Sequence, residues 1–244
     1  MHKIGKCERD MKIQVHWNAD VTRRFPALSI CTGAINNVCN EKANDQIQEL
    51  SRTVYELVGA KYNVETLKDD PTVRAYRDFY WKLNIDPTKT RPAGEALLRR
   101  VLHGDELPSI STVVDAYNLA SMRTIIPISG FDLDRLNPPF QVRFATNGEV
   151  FTGIGMSKPA TLTDKTLVLT DEKQVLCVYP YRDSDHSKIT LQTHNVLIIA
   201  YGSPGITENQ LRNAVETALS YIKQTSQGEI TMTKVFSTTN DETS

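Results

Sequence analysis

From Ala43 to Met122 the apolar residues return every three or four positions, whereas from Phe140 to Ile199 they form short runs and alternations. Between the two textures the chain is broken repeatedly, at Pro127, Gly130 and Pro138-Pro139. This single change of period limits the fold more than any other feature. Helices come mostly first and strands later, without regular strand–helix alternation, so an α+β domain is expected rather than a doubly wound parallel sheet.

The helical half divides at recognisable punctuation. Ile47, Leu50, Val54, Leu57 and Val58 make one apolar stripe over Ala43 to Ala60, with Gly59 as its stop. Asp69-Asp70-Pro71-Thr72 opens a second helix whose buried face is Val73, Tyr76, Phe79, Tyr80 and Leu83, and Asp86-Pro87 closes it. Arg91-Pro92 begins a third, carrying Leu97, Leu98, Val101 and Leu102 and ending at Gly104. Ser111 to Met122 reads as a fourth. Strands are expected at Phe140–Ala145, Phe151–Ile154, Leu167–Thr170, Val175–Val178, Ile189–Leu191 and Val196–Ile199, with a hairpin turn at Asp171-Glu172-Lys173-Gln174.

Thr207 and Gln210 form a capping-box pattern ahead of a last amphipathic helix, Leu211 to Ile222, and Glu229–Val235 reads as a closing strand. At the other end Lys12–Trp17 alternates like a strand, after a polar leader at residues 1–10. We therefore expect one domain over residues 11–236, followed by a polar tail at 237–244. No internal repeat and no long polar linker divides it.

Composition excludes several classes of function. Apolar residues make up 40% of the 244, enough for a real core. Lys and Arg number 28 against 29 acidic residues, a net charge of −1, so extended DNA binding is not expected. The longest strongly apolar stretch, Val196–Tyr201, is far short of the ~20 residues of a membrane helix. A soluble, cytoplasmic protein without a membrane partner is the expectation. The four cysteines lack CxxC spacing and are expected to be free and mostly buried. His186 and His194 lie near Asp183 and Asp185 but lack helical spacing and a third ligand, so no metal site is expected. Gly153-Ile-Gly155 has neither a third glycine nor a GK[ST] tail, and no cofactor is expected.

The polar residues worth weighing sit around the broken loops: Asp115, Asn118, Ser129, Asp132, Asp134, Arg182, Asp183 and Ser184. By type they suggest a pocket, and each has a plain structural alternative. Asp132 and Asp134 suit a turn or helix cap. Asp115 and Asn118, three residues apart on one helix, suit either a hydrogen-bonded pair or a ligand. Arg182-Asp183 suits an exposed ion pair.

Several blocks taken in order carry a resemblance. Pro108-Ser-Ile-Ser-Thr-Val-Val-Asp115-Ala-Tyr-Asn118-Leu, then Ile126-Pro127-Ile-Ser129-Gly-Phe-Asp132-Leu-Asp, resemble the B-three/B-four domain of the phenylalanyl-tRNA synthetase beta subunit. The likeness continues through Thr166–Leu176 and Ile189–Ile198, covering about Arg91 to Ile199. Tyr181-Arg182-Asp183-Ser184 looks like the pocket loop of free-standing relatives. By resemblance the helices before the domain are then a stand-alone extension.

The resemblance implies a site of Asn118 and Ser129 as catalytic candidates, with Asp115, Tyr117, Pro127, Asp132, Tyr181, Arg182, Asp183 and Ser184 binding substrate. In the family the domain hydrolyses wrongly attached tyrosine, which implies an aminoacyl ester on a tRNA 3′ end as partner and a trans-acting deacylase as activity. The departures are specific: Ser129 stands at the family's histidine, Tyr117 at its threonine and Ile199 at its pocket glutamate. A serine without an adjacent base is a poor proton acceptor, and isoleucine cannot recognise a phenol hydroxyl. Two further readings stay open, a non-catalytic RNA-binding module and a protein that binds a free amino-acid-like ligand. A complete aminoacyl-tRNA ligase is excluded, since no ATP-binding core fits in this chain.

Overall fold

The computed structural model describes residues 13–239, so the leader at 1–10, Cys7 and the end of the tail lie outside the described residues. Three layers result. One is a five-stranded sheet in the order β1(Val15–Trp17), β4(Phe140–Phe144), β7(Leu167–Thr170), β8(Val175–Val178), β9(Arg182–Asp183). The middle layer is a four-stranded antiparallel sheet in the order β11(Glu229–Ser237), β2(Ser29–Asn36), β10(Val196–Tyr201), β3(Ile128–Asp132). Over its far face lie α2(Asp45–Lys61), α3(Pro71–Lys82), α4(Ala93–Leu102), α5(Thr112–Thr124) and α6(Glu208–Ser226). A short α1(Ala19–Arg24) and a β5(Val150–Phe151)–β6(Ala160–Thr161) ribbon complete the set. β1 pairs with β4 in parallel and every other paired strand is antiparallel, so the domain is α+β.

The helices start where their caps dictate. Asn44 Oδ1 accepts from Ile47 N at 3.0 Å, Asp70 from Thr72 N at 2.8 Å, and the Thr207–Gln210 capping box closes in both directions. α3 and α4 are locked together by a buried carboxylate: Glu95 accepts from Arg77 Nε at 2.9 Å and from Arg99 Nε at 2.7 Å. Burial alone would raise the Glu95 carboxyl, but the two arginines together hold it below its ordinary value.

Differences from the sequence reading fall where a strand is buried on both faces. The stretch Ile128–Asp132 is not loop but strand β3, every residue of it buried. β2, which the sequence pattern did not reveal, lies in the middle layer, buried along its length except for a partly exposed Asn36, so it shows no apolar–polar alternation. Ile189–Leu191 forms no strand; it is a turn region in which Thr190 N donates to Thr193 Oγ1 at 3.0 Å. α2 runs past Gly59 to Lys61. Cys31 and Cys177 are buried free thiols, as expected, whereas Cys39 is exposed.

Strand alternation decides which core each residue joins. Along β10, Val196, Ile198 and Ala200 face the helices, while Leu197, Ile199 and Tyr201 face the five-stranded sheet. α5 ends in a β-branched residue, Ile125, held at φ 60°, a left-handed conformation costing about 1–2 kcal/mol. Its backbone is so close to Gly94 that a Cβ there would stand 2.6 Å from the Ile125 carbonyl carbon. That abrupt stop turns the chain through Ile126 and Pro127 into β3, and so delivers Ser129.

Candidate active site at the seam of the two sheets

Ser129 lies in β3 opposite Ile199 of β10, and alternation turns it with Phe131 toward the space between the sheets. Across that space stands Asp183 on the edge strand β9, opposite Cys177 of β8. The Ser129 hydroxyl donates to Asp183 Oδ1 at 2.6 Å. Fifty-four residues separate the two in sequence; only the meeting of the two sheet edges joins them. Burial pushes the Asp183 carboxyl up to about 6, against the opposing pull of the Ser129 hydroxyl, the Cys177 thiol and the Arg182 charge. A carboxylate poised near neutrality is a competent proton acceptor and donor.

Two phenols complete the surroundings. Tyr117 of α5 is buried against Gly130, where a Cβ would come within 2.6 Å of its ring, so only glycine lets the ring lie on β3. Burial, then the Asp183 charge, raise the Tyr117 hydroxyl far above its ordinary value. Tyr201 of β10 is likewise raised, by burial first and then by the neighbouring Cys177 and Asp183. Both hydroxyls stay protonated at neutral pH. Cys177 is pushed up in the same way and remains a thiol.

The rim is exposed. Tyr181 presents its ring to solvent with the Arg182 guanidinium 6.0 Å from the ring centroid, and Arg182 Nη1 donates to Ile154 O at 3.0 Å. Ser184 is buried just behind, accepting from His186 N at 3.2 Å and bridged to Gly153. Pro127 contributes its carbonyl, which accepts from Tyr201 N at 3.0 Å.

Asp132 and Asp115 are held by partners outside this seam. Asp132 caps the turn after β3, accepting from Asp134 N at 3.2 Å and from Thr193 Oγ1 at 2.8 Å. Asp115 accepts from Ile110 N at 2.9 Å and Ser109 Oγ at 3.2 Å, and burial raises its carboxyl despite those bonds. It lines a cavity of about 380 Å³ with Ile47, Ser51 and Tyr55, on the helical side. Asn118 is half-buried beside Tyr117, and among the described residues no hydrogen bond fixes its amide. Ile199 is fully buried between the sheets, paired with Ser129 across β10 and β3. Among the described residues no group of three His, Cys, Asp or Glu could hold a metal ion, and no helix is long and apolar enough to cross a membrane.

Sequence reasoning missed Tyr201 and Cys177. The available signal for Tyr201 was the two-residue step from Ile199 along β10, which puts both on one face.

An α+β sandwich of two sheets and a helical layer, with an acid–hydroxyl pair at the seam of the sheets, defines the class of domain. Residues 75–227, more than half of the chain, match the B3/4 domain family. The chain belongs to that family. It is 33% identical over 126 residues to the phenylalanine–tRNA ligase beta subunit of Pectobacterium atrosepticum, covering 51% of this chain and 16% of that one. The same figures hold for the beta subunit of Yersinia pestis. The chain thus spans about a sixth of the length of these curated relatives. Among solved structures, an N-terminal fragment of the phenylalanyl-tRNA synthetase beta subunit from Pyrococcus horikoshii overlaps 90% of this chain and 50% of its own, at 13% identity and a TM-score of 0.48.

Proposed function

We propose that this chain is a trans-acting deacylase, hydrolysing a mischarged aminoacyl ester at a tRNA 3′ end in the cytoplasm. The observation that carries the reading is the 2.6 Å contact between Ser129 and a carboxylate raised to about 6. The serine that stands at the family's histidine thereby acquires the adjacent base that sequence alone did not give it. An aminoacyl ester is already activated, so hydrolysis asks for a positioned water and a proton acceptor, not a strong nucleophile. Asp183 accepts the proton of the attacking water, with Ser129 orienting either the carboxylate or the water. The proton then passes to the departing ribose oxygen. Tyr181 and Arg182 at the rim suit a terminal nucleotide, the ring by stacking and the guanidinium by pairing with phosphate.

Contact limited to a tRNA end requires few phosphate interactions, which fits a net charge of −1. The same charge balance favours, as a second reading, a free amino acid whose ammonium group pairs with Asp183. Hydrolysis of a panel of correctly and wrongly charged aminoacyl-tRNAs separates the two. Selective release, lost in Ser129→Ala and Asp183→Asn, is expected of the deacylase. Release no faster than the spontaneous rate for every member, with measurable binding of free amino acids, establishes the second reading instead.

A further inference from the structure

Tyr201 is anchored at the seam by its backbone and its ring, and its polar tip is the part left over. The residue is fully buried. Its N–H donates to Pro127 O at 3.0 Å, its carbonyl accepts from the Tyr76 hydroxyl at 2.6 Å, and its ring meets Tyr179 edge-on at 4.9 Å. The neighbouring phenols are both satisfied by backbone carbonyls, Tyr76 by Tyr201 O and Tyr179 by Gly202 O at 2.9 Å. The Tyr201 hydroxyl has no hydrogen-bond partner among the described residues. It stands close enough to Ser129, Cys177 and Asp183 to feel them, but no bond of good geometry closes, and the Ser129 proton is already committed to Asp183.

Leaving a buried hydroxyl unpaired costs stability, and a phenylalanine would keep the packing without that cost. The orphan is fixed from three sides and set beside the pair that does the chemistry. Such a donor is preorganised: it need not reorient when charge appears next to it. We propose that the Tyr201 hydroxyl receives the carbonyl oxygen of the ester, donating to it as that oxygen becomes negatively charged. This rests on the deacylase reading of the same seam.

The step balances without a co-reactant. A water oxygen bonds to the ester carbon, its proton goes to Asp183, and the carbonyl π pair moves onto the oxygen held by Tyr201. Collapse restores the double bond and expels the ribose oxygen, which takes the proton from Asp183. The products are a free amino acid and a ribose hydroxyl.

The test is Tyr201→Phe, with Tyr80→Phe as its control. Tyr80 is a second buried phenol without a hydrogen-bond partner among the described residues, but its neighbours are Cys177, Tyr181 and Glu95 rather than Ser129 and Asp183. Single-turnover deacylation, the melting temperature, and the Kd of a non-hydrolysable 3′-aminoacylamido-adenosine are measured for both variants and for the wild type. The expected result is a loss of about a hundredfold in rate for Tyr201→Phe, with an unchanged or higher melting temperature, and wild-type activity for Tyr80→Phe. An equal rate in Tyr201→Phe and wild type overturns the inference and leaves the deacylase reading standing, as does an equal loss in Tyr80→Phe. A melting temperature lowered in Tyr201→Phe also overturns it, since it makes the hydroxyl structural. If the wild type does not hydrolyse at all, the deacylase reading falls first, and the amide analogue decides the rest. Weaker binding by Tyr201→Phe keeps the hydroxyl as the carbonyl donor; equal binding removes it.

Discussion

Replacing Asp183 with asparagine should stabilise the protein at pH 7.5 and leave it unchanged near pH 4. Asparagine keeps an oxygen to accept from Ser129 but carries no charge to desolvate. The carboxyl moves from an ordinary 3.8 to about 6 on folding, so between those values the folded chain holds a proton that the unfolded chain has released. Stability therefore falls as pH rises through this window, and the full cost is present above about pH 6. At 1.36 kcal/mol per pH unit the interval corresponds to about 3 kcal/mol. Asp183 is only partly shielded from solvent by its surface accessibility, which reduces the figure to about 2 kcal/mol. The groups facing it are Arg182 on its own strand, Cys177 on β8, Ser129 on β3, Tyr117 on α5 and Tyr201 on β10; of these only Arg182 is charged near neutrality. Thermal unfolding across pH 4 to 8 is the assay, and a gain of about 4–8 °C at pH 7.5 is expected for Asp183→Asn. A loss of stability at pH 7.5, or a gain of equal size at every pH, would refute the reasoning.

Three other perturbations probe the frame around the seam. Glu95→Gln leaves Arg77 and Arg99 facing each other without their buried anion, and urea unfolding should show a loss of about 3 kcal/mol. Gly130→Ala drives a methyl group into the Tyr117 ring; circular dichroism should report an intact fold, while deacylation falls at least tenfold as the ring is pushed off β3. Tyr76→Phe removes the donor from the Tyr201 carbonyl and should destabilise by about 1–3 kcal/mol in the same urea assay, opposite in sign to Tyr201→Phe.

The sequence was most legible where one face of an element meets water. α2, α3 and α6 carry their stripes and caps in plain order because their outer faces stay polar, and Asn44, Asp70 and Thr207 cap them within the local sequence. It was least legible in the middle layer. β2 runs Ser-Ile-Cys-Thr-Gly-Ala-Ile-Asn, buried for seven of its eight residues, so no alternation marks it, and its glycine and small polar residues argue against a strand. β3 was hidden in the same way, with Pro127 just before it and Gly130 at its centre. The candidate site shares this history. Ser129 and Asp183 were each visible as polar residues near loops, but their pairing depends on the register of β3 against β10, set by contacts tens of residues apart, and on the edge strand β9 meeting β3 across 54 residues of sequence. Asp132 shows the converse, since a turn cap is a local device and was legible as one.

The most direct measurement is the single-turnover rate of aminoacyl-tRNA deacylation from pH 4.5 to 8, for the wild type and Asp183→Asn, after subtraction of spontaneous hydrolysis. With Asp183 as the proton acceptor, the wild-type rate should rise about tenfold per pH unit, bend near pH 6 and level above it, and Asp183→Asn should lose at least a hundredfold. A wild-type profile reproduced by Asp183→Asn would contradict the account, because the seam would then hold the fold together and take no part in chemistry.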